Sequence, residues 1–114
     1  MNDPRQSSLE RKFVTLWIAF GGPQLEYDQP FAPGRRWRAD FIHRGAKVIV
    51  EIEGWGRHQR WLGYTEDCRK YNAALVLGYR VFRLTRDMID NTPWADIQPI
   101  IDFVVGHAAQ EISP

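Results

Sequence analysis

Residues 36–54 read Arg36-Trp37-Arg38-Ala39-Asp40-Phe41-Ile42-His43-Arg44-Gly45-Ala46-Lys47-Val48-Ile49-Val50-Glu51-Ile52-Glu53-Gly54, and their pattern decides the fold. Trp37, Ala39 and Phe41 alternate with Arg36, Arg38 and Asp40; Val48, Val50 and Ile52 alternate with Ile49, Glu51 and Glu53. That period of two belongs to strands, whose successive side chains point to opposite faces. Gly45 in the short connection suits a hairpin. Pairing in the register this connection permits sets Asp40 beside Glu51 and Glu53 on one sheet face. Like charges so close repel and raise one another's pKa, and a cation is the usual way to hold them together.

Around this hairpin the chain of 114 residues is long enough to bury one core and too short for two, so residues 1–114 are expected to form a single domain. Hydrophobic residues make up 44% and charged residues 25%, which fits a soluble globular protein, with flexibility expected at residues 1–7 and 111–114. No apolar run approaches the roughly 20 residues of a membrane span, and no signal core follows the start. A cytoplasmic protein without membrane contact is expected. Cys68 is the single cysteine, which excludes an internal disulfide and a thiolate-rich zinc site, and it reads as a small buried residue.

A net charge of +1 gives no overall field that would draw the protein onto nucleic acid. The local distribution differs. Arg35, Arg36, Arg38, Arg44 and Lys47 crowd the hairpin, and Arg57, Arg60, Arg69 and Lys70 follow it. Of the five tryptophans, Trp17, Trp37 and Trp94 are expected in the core. Trp55 and Trp61 fall among basic residues, where they either cap the core or stack on a base.

Ser7 or Ser8 caps a helix from Ser8 to about Phe20, with Leu9, Phe13, Leu16, Trp17 and Phe20 at helical spacing and Gly21-Gly22-Pro23 as its stop. Leu25 to Phe31, with Pro30 and Pro33, reads as a short edge strand. The strands 37–42 and 47–52 come next, the second nearly continuously apolar and therefore central and covered on both sides. Residues 54–64 carry no clean periodicity and read as a loop. Thr65 to Leu77 is the second helix, with Cys68, Tyr71, Leu75 and Val76 as its buried stripe and Gly78 as its end. Tyr79 to Leu84 is a strand, short helical structure starts at Thr85, and Pro93 opens a last helix with Ile97, Ile100, Ile101, Val104 and Val105 inward. The order predicts a mixed α/β (α+β) sandwich around a small sheet, with a right-handed crossover from Val48 to Leu84.

Asp40 and Glu51 are hard oxygen ligands of the kind that hold Mg²⁺ or Mn²⁺, and the Ile52 carbonyl between the acids is a further candidate. The alternative is a pair of strand-end carboxylates neutralised by Arg36, Arg38 or Lys47 on a solvated face. Glu10, in the first turn of the first helix, is placed equally well by the helix dipole alone. His43 and His107 have no supporting residues nearby and read as surface, and Asn72 reads as structural.

The helix with Glu10, the Asp40 strand and Glu51-Ile52-Glu53 at the end of a central strand resemble the core of the PD-(D/E)XK nuclease superfamily, the restriction-endonuclease-like fold with order α-β-β-β-α-β. More narrowly, Arg36 to Phe41, Val50 to Gly54, Gly56-Arg57-His58, Asp67, Lys70 to Ala73 and Gly78 to Arg83 resemble small phage and prophage endonucleases of the DUF559-like and Vsr-like group. The resemblance implies a Mg²⁺-dependent DNA endonuclease, with Mn²⁺ able to substitute. It makes Asp40 and Glu51 the metal ligands, with Ile52 through its carbonyl and Glu10 as a third. Where the superfamily pattern has lysine, this chain has Glu53, which implies a second-metal ligand or a base. Lys70 is then the candidate displaced lysine, against a solvated position or an ion pair with Glu66. His58 is a candidate acid or base, against an exposed loop residue. Arg36, Arg38, Arg57, Arg60 and Trp55 are the candidate nucleic-acid contacts. Cutting both strands in concert would need a homodimer. The competing reading is a catalytically inactive nucleic-acid-binding or assembly module of the same fold.

Overall fold

The computed structural model describes residues 3–54 and 61–112. Ser7 accepts the backbone N–H of Glu10 and Glu10 accepts that of Ser7, a capping box that starts helix α1, Ser8–Ala19. Strands β1 (Glu26–Pro30), β2 (Arg38–His43) and β3 (Val48–Glu53) follow, then helix α2 (Trp61–Val76), strand β4 (Arg80–Thr85), helix α3 (Arg86–Asn91) and helix α4 (Pro93–Ile112). The sheet order is β1-β2-β3-β4, with β1 and β2, and β2 and β3, antiparallel, and β3 and β4 parallel. This is the mixed α/β core expected from the sequence, with β1 at an edge and β3 inside.

Period two sorts the central strand. Val48, Val50 and Ile52 join Leu9, Phe13, Trp17 and Phe41 with Leu84, Ile89, Ile97 and Val104 in the larger core, roofed by α1, α3 and α4. Phe13 is the hub of its aromatic part, with ring centroids 5.6 Å from Trp17 and 4.9 Å from Phe41. On the opposite face Ile49, Ile42 and Ala39 pack with Ala74 of α2 in a smaller cluster. Fully burying one such side chain contributes about 1.5–3 kcal/mol, so the two clusters hold the sheet from both sides.

Two glycines end the main helices as the sequence predicts. Gly21 and Gly78 take φ of 83° and 90°, a region open to glycine without steric cost. At Gly78 the amides of Gly78 and Tyr79 return to the carbonyls of Leu75 and Ala74. The hairpin is built differently from expectation, since Lys47 rather than Gly45 adopts the left-handed conformation, with φ of 54°. Lys47 is held there from two sides. Its carbonyl accepts the Arg80 amide at 2.9 Å, and its ammonium donates to the Leu77 carbonyl at 3.3 Å, at the helix end where a cation is favoured.

Other expectations are corrected. Helix α2 begins at Trp61, a turn before Thr65. Its expected stripe is wrong in part, because Leu75 and Val76 are exposed while Lys70 and Ala74 are buried. Cys68 is half-buried and reduced. Val105 is half-exposed, and Trp94 is 64% exposed, meeting Phe20 edge-on at 5.0 Å on the rim of the core. Trp37 is half-buried under the Arg35 guanidinium at 4.9 Å. Among the described residues no helix is long and apolar enough to cross a membrane.

Candidate active site at the β2–β3 fork

The register of β2 and β3 runs from His43↔Val48 through Ile42↔Ile49 to Phe41↔Val50. One step further, side chains replace the backbone ladder. Glu51 Oε2 accepts the Asp40 amide at 2.8 Å, and Asp40 Oδ2 accepts the Ile52 amide at 2.9 Å. The strands fork here, and the two carboxylates fill the fork by bonding reciprocally across it. Each is thereby fixed by a backbone donor of the neighbouring strand, which is stiffer than any pairing between flexible side chains.

Helix α2 crosses the same face. Residues 67, 70, 71 and 74 share one side of it at the spacing of neighbours on a helix, and Lys70 reaches down to Glu51 with Nζ 2.6 Å from Oε1. Both partners are buried, Lys70 at 7% and Glu51 at 2% exposure. Burying a charge costs several kcal/mol unless it is paired, and this pair is closed by the Asp40 amide on the other carboxylate oxygen. Lys70 therefore neither points into solvent nor pairs with Glu66, which holds Arg69 at 2.6 Å instead.

Glu53 lies two residues on, on the same face. Its Oε1 accepts Arg83 Nε at 2.5 Å and lies 3.4 Å from the Tyr71 hydroxyl. Burial raises the Tyr71 hydroxyl well above the ordinary tyrosine range, helped by the charges of Glu51 and Glu53, so this hydroxyl stays protonated.

Glu10 sits on the other side of β3. Its Oε1 accepts the Ser7 amide at 2.8 Å and the Tyr27 hydroxyl at 3.3 Å, and with Ile52, Gly54 and Arg86 it lines a cavity of about 270 Å³. Tyr27 is pushed up to about 12 by burial, then by Glu10, with Asp28 and Asp40 adding to it. Glu10 thus shares a cavity with Ile52 and a field with Asp40. Among the described residues, however, no three His, Cys, Asp or Glu side chains converge at metal-binding range.

Arg36 is exposed, and Arg38 holds Asp28 through Nε at 2.7 Å. Trp55, Arg57, His58 and Arg60 lie outside the described residues. His43 Nδ1 accepts the Ala46 amide in the hairpin turn, and His107 stacks on Phe103 at 3.7 Å, so both serve packing. Sequence reasoning missed Asp28, Tyr71 and Arg83. Asp28 takes φ of 54° within β1, between the pairs Tyr27↔Phe41 and Gln29↔Ala39, and so lies across from Asp40. Arg83 is the register partner of Glu51 in β4, a relation fixed by parallel pairing that no local pattern announces.

The donor set fits an oxygen-seeking divalent ion in one respect and not in another. Asp40 and Glu51 offer two carboxylates on rigid backbone, and Mg²⁺ is commonly held by one or two carboxylates, retaining waters and taking up substrate phosphate. The described residues do not make a closed protein cage of the kind Ca²⁺ favours.

The architecture is a mixed α/β fold, a four-stranded mixed sheet with helices on both faces. Among solved structures it resembles the homing endonuclease I-Bth0305I catalytic domain, with a TM-score of 0.65 and 21% identity over 90% of this chain and 98% of that one. No protein-family model and no curated protein matches the chain.

Proposed function

We propose that this chain is a Mg²⁺-dependent DNA endonuclease of PD-(D/E)XK type, akin to the DUF559-like and Vsr-like proteins of phages and prophages. The observation that carries the reading is the fork itself: Asp40 and Glu51 cross-bonded to each other's strands, with a buried ammonium 2.6 Å from Glu51. A salt-bridged surface has no need to bury that arrangement. The similar fold of a homing endonuclease catalytic domain supports the same reading and DNA as the substrate class.

In this mechanism Asp40 and Glu51 would hold Mg²⁺, with the Ile52 carbonyl beside them. Once bound, the ion supplies Lewis-acid polarisation of a phosphoryl oxygen and lowers the pKa of a water. Lys70 keeps a fixed positive charge next to Glu51 in a site shielded from water, where it stabilises charge developing on the phosphate. Glu10 lies across β3, where it holds the Tyr27 hydroxyl. Two copies acting together would cut both strands.

The test is nicking of supercoiled plasmid with Mg²⁺ or Mn²⁺. Wild-type protein should nick, chelation should stop it, and Asp40→Asn should lower the rate about 10²-fold or more, the scale of losing a principal electrostatic element. Equal nicking by Asp40→Asn would overturn the assignment. Glu53 beside the site favours a second reading, a module that binds nucleic acid without cutting. Mn²⁺ titration calorimetry separates the two, since the binding module requires no heat dependent on Asp40.

A further inference from the structure

We propose that Arg83 is a phosphate-binding residue, pre-oriented by Glu53 and Tyr71, that grips the backbone of the substrate strand beside the Asp40–Glu51 fork. The proposal rests on the nuclease reading and deepens it.

Arg83 and Glu51 are register partners on adjacent parallel strands, so their side chains leave the sheet on the same face about 5 Å apart at the backbone. Glu53 takes the Nε–H of Arg83, and the guanidinium lies 4.6 Å from the centre of the Tyr71 ring. Tyr71 adjoins Lys70 on α2, so one helix turn fixes both cations of the site. The guanidinium is thus held by a carboxylate at one edge and by an aromatic face, while its side chain remains 49% exposed. Its terminal nitrogens form a planar fork that matches two phosphate oxygens.

Stability does not account for the arrangement. A half-exposed ion pair contributes little, because water screens it and ordering two long side chains opposes it. A freely rotating arginine loses much of its side-chain freedom on gripping a phosphate. One already fixed by Glu53 and Tyr71 has lost that freedom before the ligand arrives, so affinity gains by the difference. Glu53 in this scheme is a positioning residue. Its own charge opposes the phosphate, so removing it has two opposite effects, and these can be separated experimentally.

The experiment measures fluorescence anisotropy of a short labelled duplex, with Ca²⁺ replacing Mg²⁺ to avoid cleavage, over a salt series. Arg83→Ala should weaken binding about 10-fold and reduce the slope of log affinity against log salt by about 0.9, the signature of one lost phosphate contact. Arg83→Lys should recover part of the affinity and all of the slope. Glu53→Ala should weaken binding when Arg83 is present and should not when Arg83 is alanine, a coupling that pure charge repulsion does not produce. Unchanged melting by circular dichroism verifies the fold of each variant. Wild-type affinity and slope in Arg83→Ala, or an equal strengthening by Glu53→Ala in both backgrounds, overturns this inference alone. Absence of DNA binding by the wild-type protein overturns it together with the nuclease reading.

Discussion

Tyr27 is where two acids on opposite sides of the central strand meet. Its hydroxyl is raised from an ordinary 10.0 to about 12 first by burial and then by Glu10, to which it donates at 3.3 Å, with Asp28 and Asp40 adding to the shift. The folded state therefore binds a proton more tightly than the unfolded chain does. The stability this contributes is fully present below pH 10 and is lost as the pH rises towards 12. Alkaline titration followed by phenolate absorbance should show a step near pH 12 that disappears in Tyr27→Phe. If the step that Tyr27→Phe removes lies near pH 10 instead, neither burial nor Glu10 raises this hydroxyl.

At the scale of elements, what the sequence disclosed and what it hid follow from periodicity. Alternation in 38–43 and 48–53 identified both strands and the face their acids share, because a period of two survives any detail of packing. Helix α1 was equally legible, since cap, apolar spacing and glycine stop agree. Helix α2 was not. Its inward side carries Lys70 and Tyr71 in place of aliphatic residues, and a pattern that counts lysine as solvent-facing turns such a helix the wrong way. Gly63 in its first turn likewise read as loop, although a glycine there costs only about 1 kcal/mol relative to alanine. For Lys70 the deciding partner, Glu51, lies on another element. Lys70 is accordingly the residue that seats α2 on β3. Lys70→Met should destabilise the protein by about 3 kcal/mol or more by stranding a buried carboxylate, and Glu51→Met in the same chain should restore much of the loss. Chemical denaturation of the single and double variants measures both. A Lys70→Met protein as stable as wild type would show that the pair does not seat the helix.

At the scale of the whole molecule, the sheet separates two kinds of interior. One face carries an apolar core under α1, α3 and α4, and the other combines a small apolar cluster with the ion pairs of Glu51 and Glu53 under α2. The division puts the ion pairs of Glu51 and Glu53 on one side and leaves the larger core, with the Glu10–Tyr27 pair at its margin, to supply stability. It also puts the Asp40–Glu51 fork near the end of β3, which closes at Glu53.

The fork has a consequence in time. Asp40 and Glu51 belong to one hairpin and meet by closure of a short loop, whereas the ammonium that pairs with Glu51 lies 19 residues beyond it and arrives only when α2 docks. Early in folding the hairpin must therefore carry two adjacent negative charges without their counter-ion. Formation of the Lys70–Glu51 bond after the main barrier predicts that Lys70→Met accelerates unfolding and leaves the refolding rate nearly unchanged, whereas slowed refolding in that variant would place the bond before the barrier.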